Sequence, residues 1–375
     1  MPISQTIERD AISVDALLQQ GLDLKQAEDY EGAIACFDEL IAQDPQGYDA
    51  WNQKGFALVN LQQLPEAIEC FQQAIALQPD ISQTYYSLGW AAYALGDYEL
   101  AIHNCQTFLA MEPDFPNSHD VLYTLGLALY MTGQYLEAIE QFEVALGHQP
   151  DAVDIWYSQG LALSAIGRYE EAVQAYDQVL ARQTDYYAAI VSRADALGHL
   201  AEFEAAQQSY LQALDWQSDD PHSWFGLAQC QRQLGQYPEA LKSYRKVLEA
   251  QPDHWEAWYG MATSLMRLGD SKKAVTAYDR LLAIKADSYN AWFNRGVALK
   301  NLGQLEEAIA SYDKAIALQP NDHKAWNNKG GVLASMSRWA EAIACFDKVL
   351  AINPNDVKAQ QNRAALQKRL NAGSA

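Results

Sequence analysis

The side chains best suited to nucleophilic, general-base or metal chemistry are seven histidines and five cysteines. The histidines (His103, His119, His148, His199, His222, His254 and His323) are scattered, and no H-E-x-x-H pairs two of them on one helix face. The cysteines (Cys36, Cys70, Cys105, Cys230 and Cys345) are odd in number, far apart, and never spaced as C-x-x-C. That spacing excludes a disulfide framework and a structural zinc site, and it fits a reducing compartment. Nucleophile elbows of the form G-x-S-x-G and the glycine-rich phosphate loops are also missing. Catalytic residues, metal ligands and cofactors are therefore each expected to be none. What the chain has in abundance is adhesive surface, with 21 Tyr, 10 Trp and 10 Phe.

Those aromatics fall into register once a ruler is found. Ala33, Ala67, Ala101, Ala138, Ala172, Ala206, Ala240, Ala274, Ala308 and Ala342 are separated by 34 residues each time, except for one interval of 37. Four residues later stands an aromatic in nine of the ten units, with Cys105 as the exception. Twelve residues earlier stands glycine or alanine, from Gly21 to Gly330. Twelve residues later proline occurs seven times; Thr184, Ser218 and Ala286 fill the other places.

This pattern resembles the tetratricopeptide repeat, a 34-residue helix–turn–helix unit reading W-x2-L-G-x2-Y…A-x3-F…P. The resemblance implies an all-α, right-handed superhelical solenoid, and no strand pattern competes with it. Its units run 14–47, 48–81, 82–115, 119–152, 153–186, 187–220, 221–254, 255–288, 289–322 and 323–356. Residues 1–13 form an N-terminal extension, and 357–375 a capping helix and tail that would keep an open stack soluble. Only 19 residues follow the last unit, too few for the catalytic domain found in one architecture of the family, so no enzyme is expected.

The small residues at positions 8 and 20 of each unit leave room for the two helices to approach. Large side chains at position 4, such as Trp51, Trp156 and Trp258, fill the space between units. Proline at position 32 is expected to stop the second helix. Asp at position 33, in seven units, is expected to cap the next first helix. Pro116-Asn117-Ser118 is an insertion expected to disturb the rotation between the third and fourth units. The unit 187–220 is expected to be the weakest, because it lacks the glycine and the proline and carries Gly198 inside a helix.

In the family the first helices line a concave groove through positions 2, 5, 9, 12 and 13. Position 9 here reads Leu22, Phe56, Trp90, Leu127 and Leu161, then turns polar at Asp195, Gln229 and Thr263. Five consecutive apolar side chains facing a groove would make an exposed stripe, the signature of an interaction site. Tyr86, Tyr123 and Tyr157 at position 5, with Tyr93 and Tyr130 at position 12, flank it. The competing reading buries the stripe against neighbouring helices. No unit has Lys at position 5 with Asn at position 9, so the chaperone-tail clamp of one subgroup is not expected.

Charge divides the chain in the same place. Residues 1–186 carry 28 Asp and Glu against five Lys and Arg, whereas 187–375 carry 20 against 21. Either this is a solubilising exterior or it steers a basic partner. The net charge of −22 argues against nucleic acid. No apolar run reaches the ~18–20 residues that span a bilayer; peripheral membrane association stays open. With no secretory signal at the start, a cytoplasmic setting is expected. The expected function is a scaffold or adaptor gripping a basic or apolar segment of a partner protein. The alternatives are an assembly factor or chaperone for a protein complex, and an enzyme regulator. The wording of the later units is similar to cyanobacterial repeat proteins, many of which assist assembly of photosynthetic complexes.

Overall fold

The computed structural model describes residues 13–113 and 118–373. They form 21 helices and, among the described residues, no strand. The first pairs are α1 (Val14–Gln26) with α2 (Tyr30–Gln43), and α3 (Tyr48–Asn60) with α4 (Leu64–Leu77). Next come α5 (Ser82–Leu95) with α6 (Tyr98–Met111), and α7 (Ser118–Met131) with α8 (Tyr135–His148). They are followed by α9 (Val153–Ala165), α10 (Tyr169–Arg182), α11 (Tyr187–His199) and α12 (Phe203–Trp216). Then come α13 (Pro221–Gln233), α14 (Tyr237–Ala250), α15 (Trp255–Arg267) and α16 (Ser271–Ile284). The series ends with α17 (Tyr289–Asn301), α18 (Leu305–Leu318), α19 (His323–Ser335), α20 (Trp339–Ile352) and α21 (Val357–Gly373). Two compact units result, 1–189 and 190–375, divided inside α11.

Within a pair, the ring at position 24 lies where a side chain at position 8 would be. A β-carbon on Gly21, Gly55, Gly126, Gly160 or Gly296 would fall 2.5–2.7 Å from that ring. All ten ruler alanines are 0% exposed, so position 20 is packed without a gap between the helices. Three pairs break the glycine rule with Ala194, Ala228 and Ala262. Two of them move the glycine instead. The ring of Tyr210 lies on Gly226 of α13 and that of Tyr244 on Gly260 of α15, so each ring occupies the next pair's first helix.

The second helices end at position 30 whether or not proline follows at 32. α10, α12 and α16 stop at Arg182, Trp216 and Ile284 ahead of Thr184, Ser218 and Ala286. Proline is thus not what terminates them. The capping expectation also needs correction, because N-caps fall at position 34 rather than 33. Asp220, His254, Ser288 and Asp322 accept the amides of the next turn, whereas Ile81 and Ala152 follow Asp80 and Asp151 without any side-chain cap. Asp151 pairs with Arg182 at 3.0 Å instead. The insertion residues Pro116 and Asn117 lie outside the described residues, as does Asp114; α7 begins at Ser118.

Successive pairs are joined by a repeated polar contact. The position-4 indole donates to the carbonyl six residues back: Trp51 to Pro45 (3.1 Å), Trp156 to Pro150 (2.8 Å) and Trp258 to Pro252 (2.8 Å). Trp224, Trp292 and Trp326 do the same to Ser218, Ala286 and Pro320. The Tyr85 hydroxyl and the Gln360 amide substitute where tryptophan is missing. A second contact links a base at position 7 to an aspartate sixteen residues earlier: Lys54–Asp38, Arg295–Asp279, Lys329–Asp313 and Arg363–Asp347. Each such exposed pair contributes only ~0–1 kcal/mol. Its value lies in fixing register.

Every turn within a pair needs one left-handed residue. Gly96, Gly133, Gly167, Gly235, Gly269 and Gly303 supply it at φ 75–92°. Glu28, Gln62, Ala201 and Ser337 hold φ 58–61° without glycine. In α11 the glycine sits three residues early, at Gly198, where an added β-carbon would meet nothing within 4 Å. Glycine inside a helix costs ~1 kcal/mol against alanine, and a left-handed alanine costs ~1 kcal/mol or more against glycine. Gly198→Ala combined with Ala201→Gly is therefore expected to stabilise the chain by about 1–2 kcal/mol. Equilibrium denaturation measures it; an unchanged or lowered midpoint contradicts the argument.

Candidate partner-binding face

In the first unit, α1, α3, α5, α7 and α9 present Leu22, Phe56, Trp90, Leu127 and Leu161 at their ninth positions. Trp90 is 38% exposed, and the other four are half-buried. Phe56, Tyr86 and Trp90 meet in a hollow of about 270 Å³ completed by Val59, Phe71, Gln83 and Ser87. Phe56 keeps its place by packing edge-on against the fully buried Phe71, with centroids 5.3 Å apart. Leu22 instead packs on the core around Leu17, Phe37 and Leu40. Leu127 and Leu161 are not part of the hollow.

The flanking tyrosines divide their area between core and surface. Tyr86 lies 5.9 Å from Phe108, Tyr123 6.1 Å from Phe142, and Tyr157 6.0 Å from Tyr176. Each thus braces its own pair while remaining half-buried. Burial pushes the Tyr86 phenol up to about 12, with the negative Asp120 adding to the shift. Tyr93 and Tyr130 pack on Tyr98 and Tyr135 at 5.9 and 5.4 Å. Burial raises both phenols, so these two hydroxyls remain neutral hydrogen-bonding groups at physiological pH.

Two features of this face were not anticipated. Asp15, Asp49, Asp120 and Asp154 occupy position 2 of four of the five first helices and are exposed. They sit in the first turn, where the helix dipole favours a carboxylate, and they add a row of negative charge beside the apolar stripe. Their recurrence at position 2 of four units was the available signal. The second feature is Lys25, whose Nζ lies 5.6 Å from the Phe56 ring centroid and donates to Gln53. Burial lowers its pKa. It closes one end of the stripe with a cation–π contact.

In the second unit the same face is polar. The Tyr210 hydroxyl donates to Asp195 Oδ1 at 2.5 Å, and His222 Nε2 lies 3.0 Å from both carboxylate oxygens. That hydrogen bond, opposed by desolvation and aided by the charge of Asp195, raises the His222 pKa. Burial pushes the nearby Cys230 thiol up to about 11, so it stays protonated and poorly nucleophilic. All five cysteines are buried and free. Among the described residues no group of three His, Cys, Asp or Glu is placed to hold a metal. Nor is any helix of these residues long and apolar enough to cross a membrane.

The profile of the tetratricopeptide repeat matches in eight windows, from 18–81 to 293–357. Among solved structures, the C-terminal part of a TPR repeat-containing protein from Cytophaga hutchinsonii is 17% identical, with a TM-score of 0.55 over 64% of this chain and 98% of that one. A tetratricopeptide repeat protein from Parabacteroides merdae is 18% identical, with a TM-score of 0.48 over 67% and 98%. YrrB, described as a TPR protein with an unusual peptide-binding site, is 23% identical, with a TM-score of 0.47 over 51% and 99%. Among curated proteins the comparison found no match. With ten successive helix pairs, the glycine–ring contact within them and a profile match along nearly the whole length, the chain belongs to the tetratricopeptide-repeat family.

Proposed function

We propose that this chain is a non-catalytic interaction scaffold whose first unit grips a segment of a partner protein carrying apolar and basic side chains. The observation that carries the reading is the hollow of Phe56, Tyr86 and Trp90, open to solvent at Trp90, with the charge of Asp120 acting on Tyr86. An apolar side chain entering that hollow gains buried area on three rings. A lysine or arginine on the same segment reaches the aspartate row. The family's general role in holding proteins supports this reading, and the uneven charge of residues 1–186 supports a basic partner.

Capture of the partner from its native organism, identified by mass spectrometry, is the first step. Rapid-mixing kinetics with that partner then test the charge. Between roughly 0.02 and 0.5 M salt the on-rate is expected to fall about tenfold or more, with a smaller change in off-rate, because screening shortens the field's reach. An on-rate independent of salt would assign the acidic half to solubility alone.

A further inference from the structure

Among the described residues, the second unit holds two arginines without a carboxylate partner, although Arg232 also hydrogen-bonds the Tyr244 phenol. Arg295, Lys329 and Arg363 each pair with an aspartate across a junction. Arg232 of α13 and Arg267 of α15 make no ion pair among the described residues. Both line a hollow of about 540 Å³ with Tyr259, Thr263, Tyr278 and Asn294, and no carboxylate lines it. The Nε of Arg232 is buried with no hydrogen-bond partner. A buried donor on a permanent cation is costly when unmet and strongly favours an oxyanion that meets it.

We infer that this hollow binds the carboxylates of an acidic segment in a partner protein, at a site separate from the apolar face of the first unit. An arginine offers two parallel N–H groups to one carboxylate, and the second arginine one repeat further on can take another. The hollow continues past Arg232 and Tyr259 into a neighbouring one lined by Gln229, Asn290 and Ser288. Side-chain amides in that row suit the backbone of an extended chain better than they suit a small ion. The acid in the second hollow, Glu256, lies within 3.2 Å of His254. No carboxylate in either hollow is ion-paired with Arg232, whose guanidinium keeps its hydrogen bond to the Tyr244 phenol.

The test uses the full chain and a fluorescein-labelled peptide alternating Glu and Gly, with a Gln–Gly peptide as control. Anisotropy should show the Glu peptide binding at least about tenfold more tightly than the control. Arg267→Gln, at an exposed position, should cost about tenfold, Arg232→Gln at least as much, and Trp90→Ala should leave this affinity unchanged. Loss in both arginine variants with preserved circular dichroism supports the site. Equal binding of the two peptides, or insensitivity to Arg267→Gln, overturns it. Displacement of the Glu peptide by inorganic phosphate at equal concentration would mark a small-oxyanion site and also overturn the proposal. Because Trp90→Ala reports only on the first unit, failure here and failure of the apolar face are separately visible.

Discussion

Gly226→Ala is expected to destabilise the second unit by about 2–3 kcal/mol, and Ala194→Gly is expected to rescue part of that loss. The added β-carbon would stand 2.2 Å from Cζ of Tyr210, a ring only 4% exposed. In six other pairs the ring turns inward over a glycine at position 8, but here Ala194 occupies that place. The ring is therefore blocked on both sides and must leave the core or push α12 from α13. Ala194→Gly alone should cost ~1 kcal/mol as glycine in a helix. In the double variant the inward position opens, so the two changes are not additive. Denaturation of the four proteins completes the cycle. A double variant no more stable than Gly226→Ala would show that the ring has no second seat.

Trp90→Ala is expected to weaken partner binding by about 2 kcal/mol or more, a loss near thirtyfold, while leaving the melting temperature close to wild type. Its exposure of 38% places much of the indole in solvent before any partner arrives. Phe56→Ala should weaken binding too but also unsettle the fold, because its ring rests on Phe71. If Trp90→Ala melts several degrees lower with unchanged affinity, the indole is structural and the proposed grip is misplaced.

Much of the architecture was legible because each contact recurs at a fixed spacing within one unit. Ala33 and its nine counterparts mark close helix packing by their small size, and the structure buries all of them. What escaped were relations between neighbouring units. Gly226 and Gly260 stand outside the expected glycine register, and they make sense only beside Ala194 and Ala228 one unit earlier. The aspartates at position 33 were misread by one residue, since a cap depends on backbone angles at the helix start. The stripe at position 9 was visible as a row, yet which members share a hollow depends on how successive helices rotate. Arg232 and Arg267 gave no sequence signal beyond their charge. Only the unmet Nε of Arg232 and the lack of a carboxylate around it single out that pair.

The junction contacts also bear on how such a chain gains or loses length during evolution. Excising residues 289–322 would set Trp326 against the carbonyl of Ala286 and Lys329 against Asp279, partners of the same kinds they hold now. Recombination there is nearly silent. Excising 255–288 instead would oppose Arg295 to Arg245 and thrust the Tyr244 ring onto Asn294 in place of Gly260. Like charges would meet and a buried ring would lose its seat. Copy number is thus free to drift at one end of the second unit and is held constant a single module away.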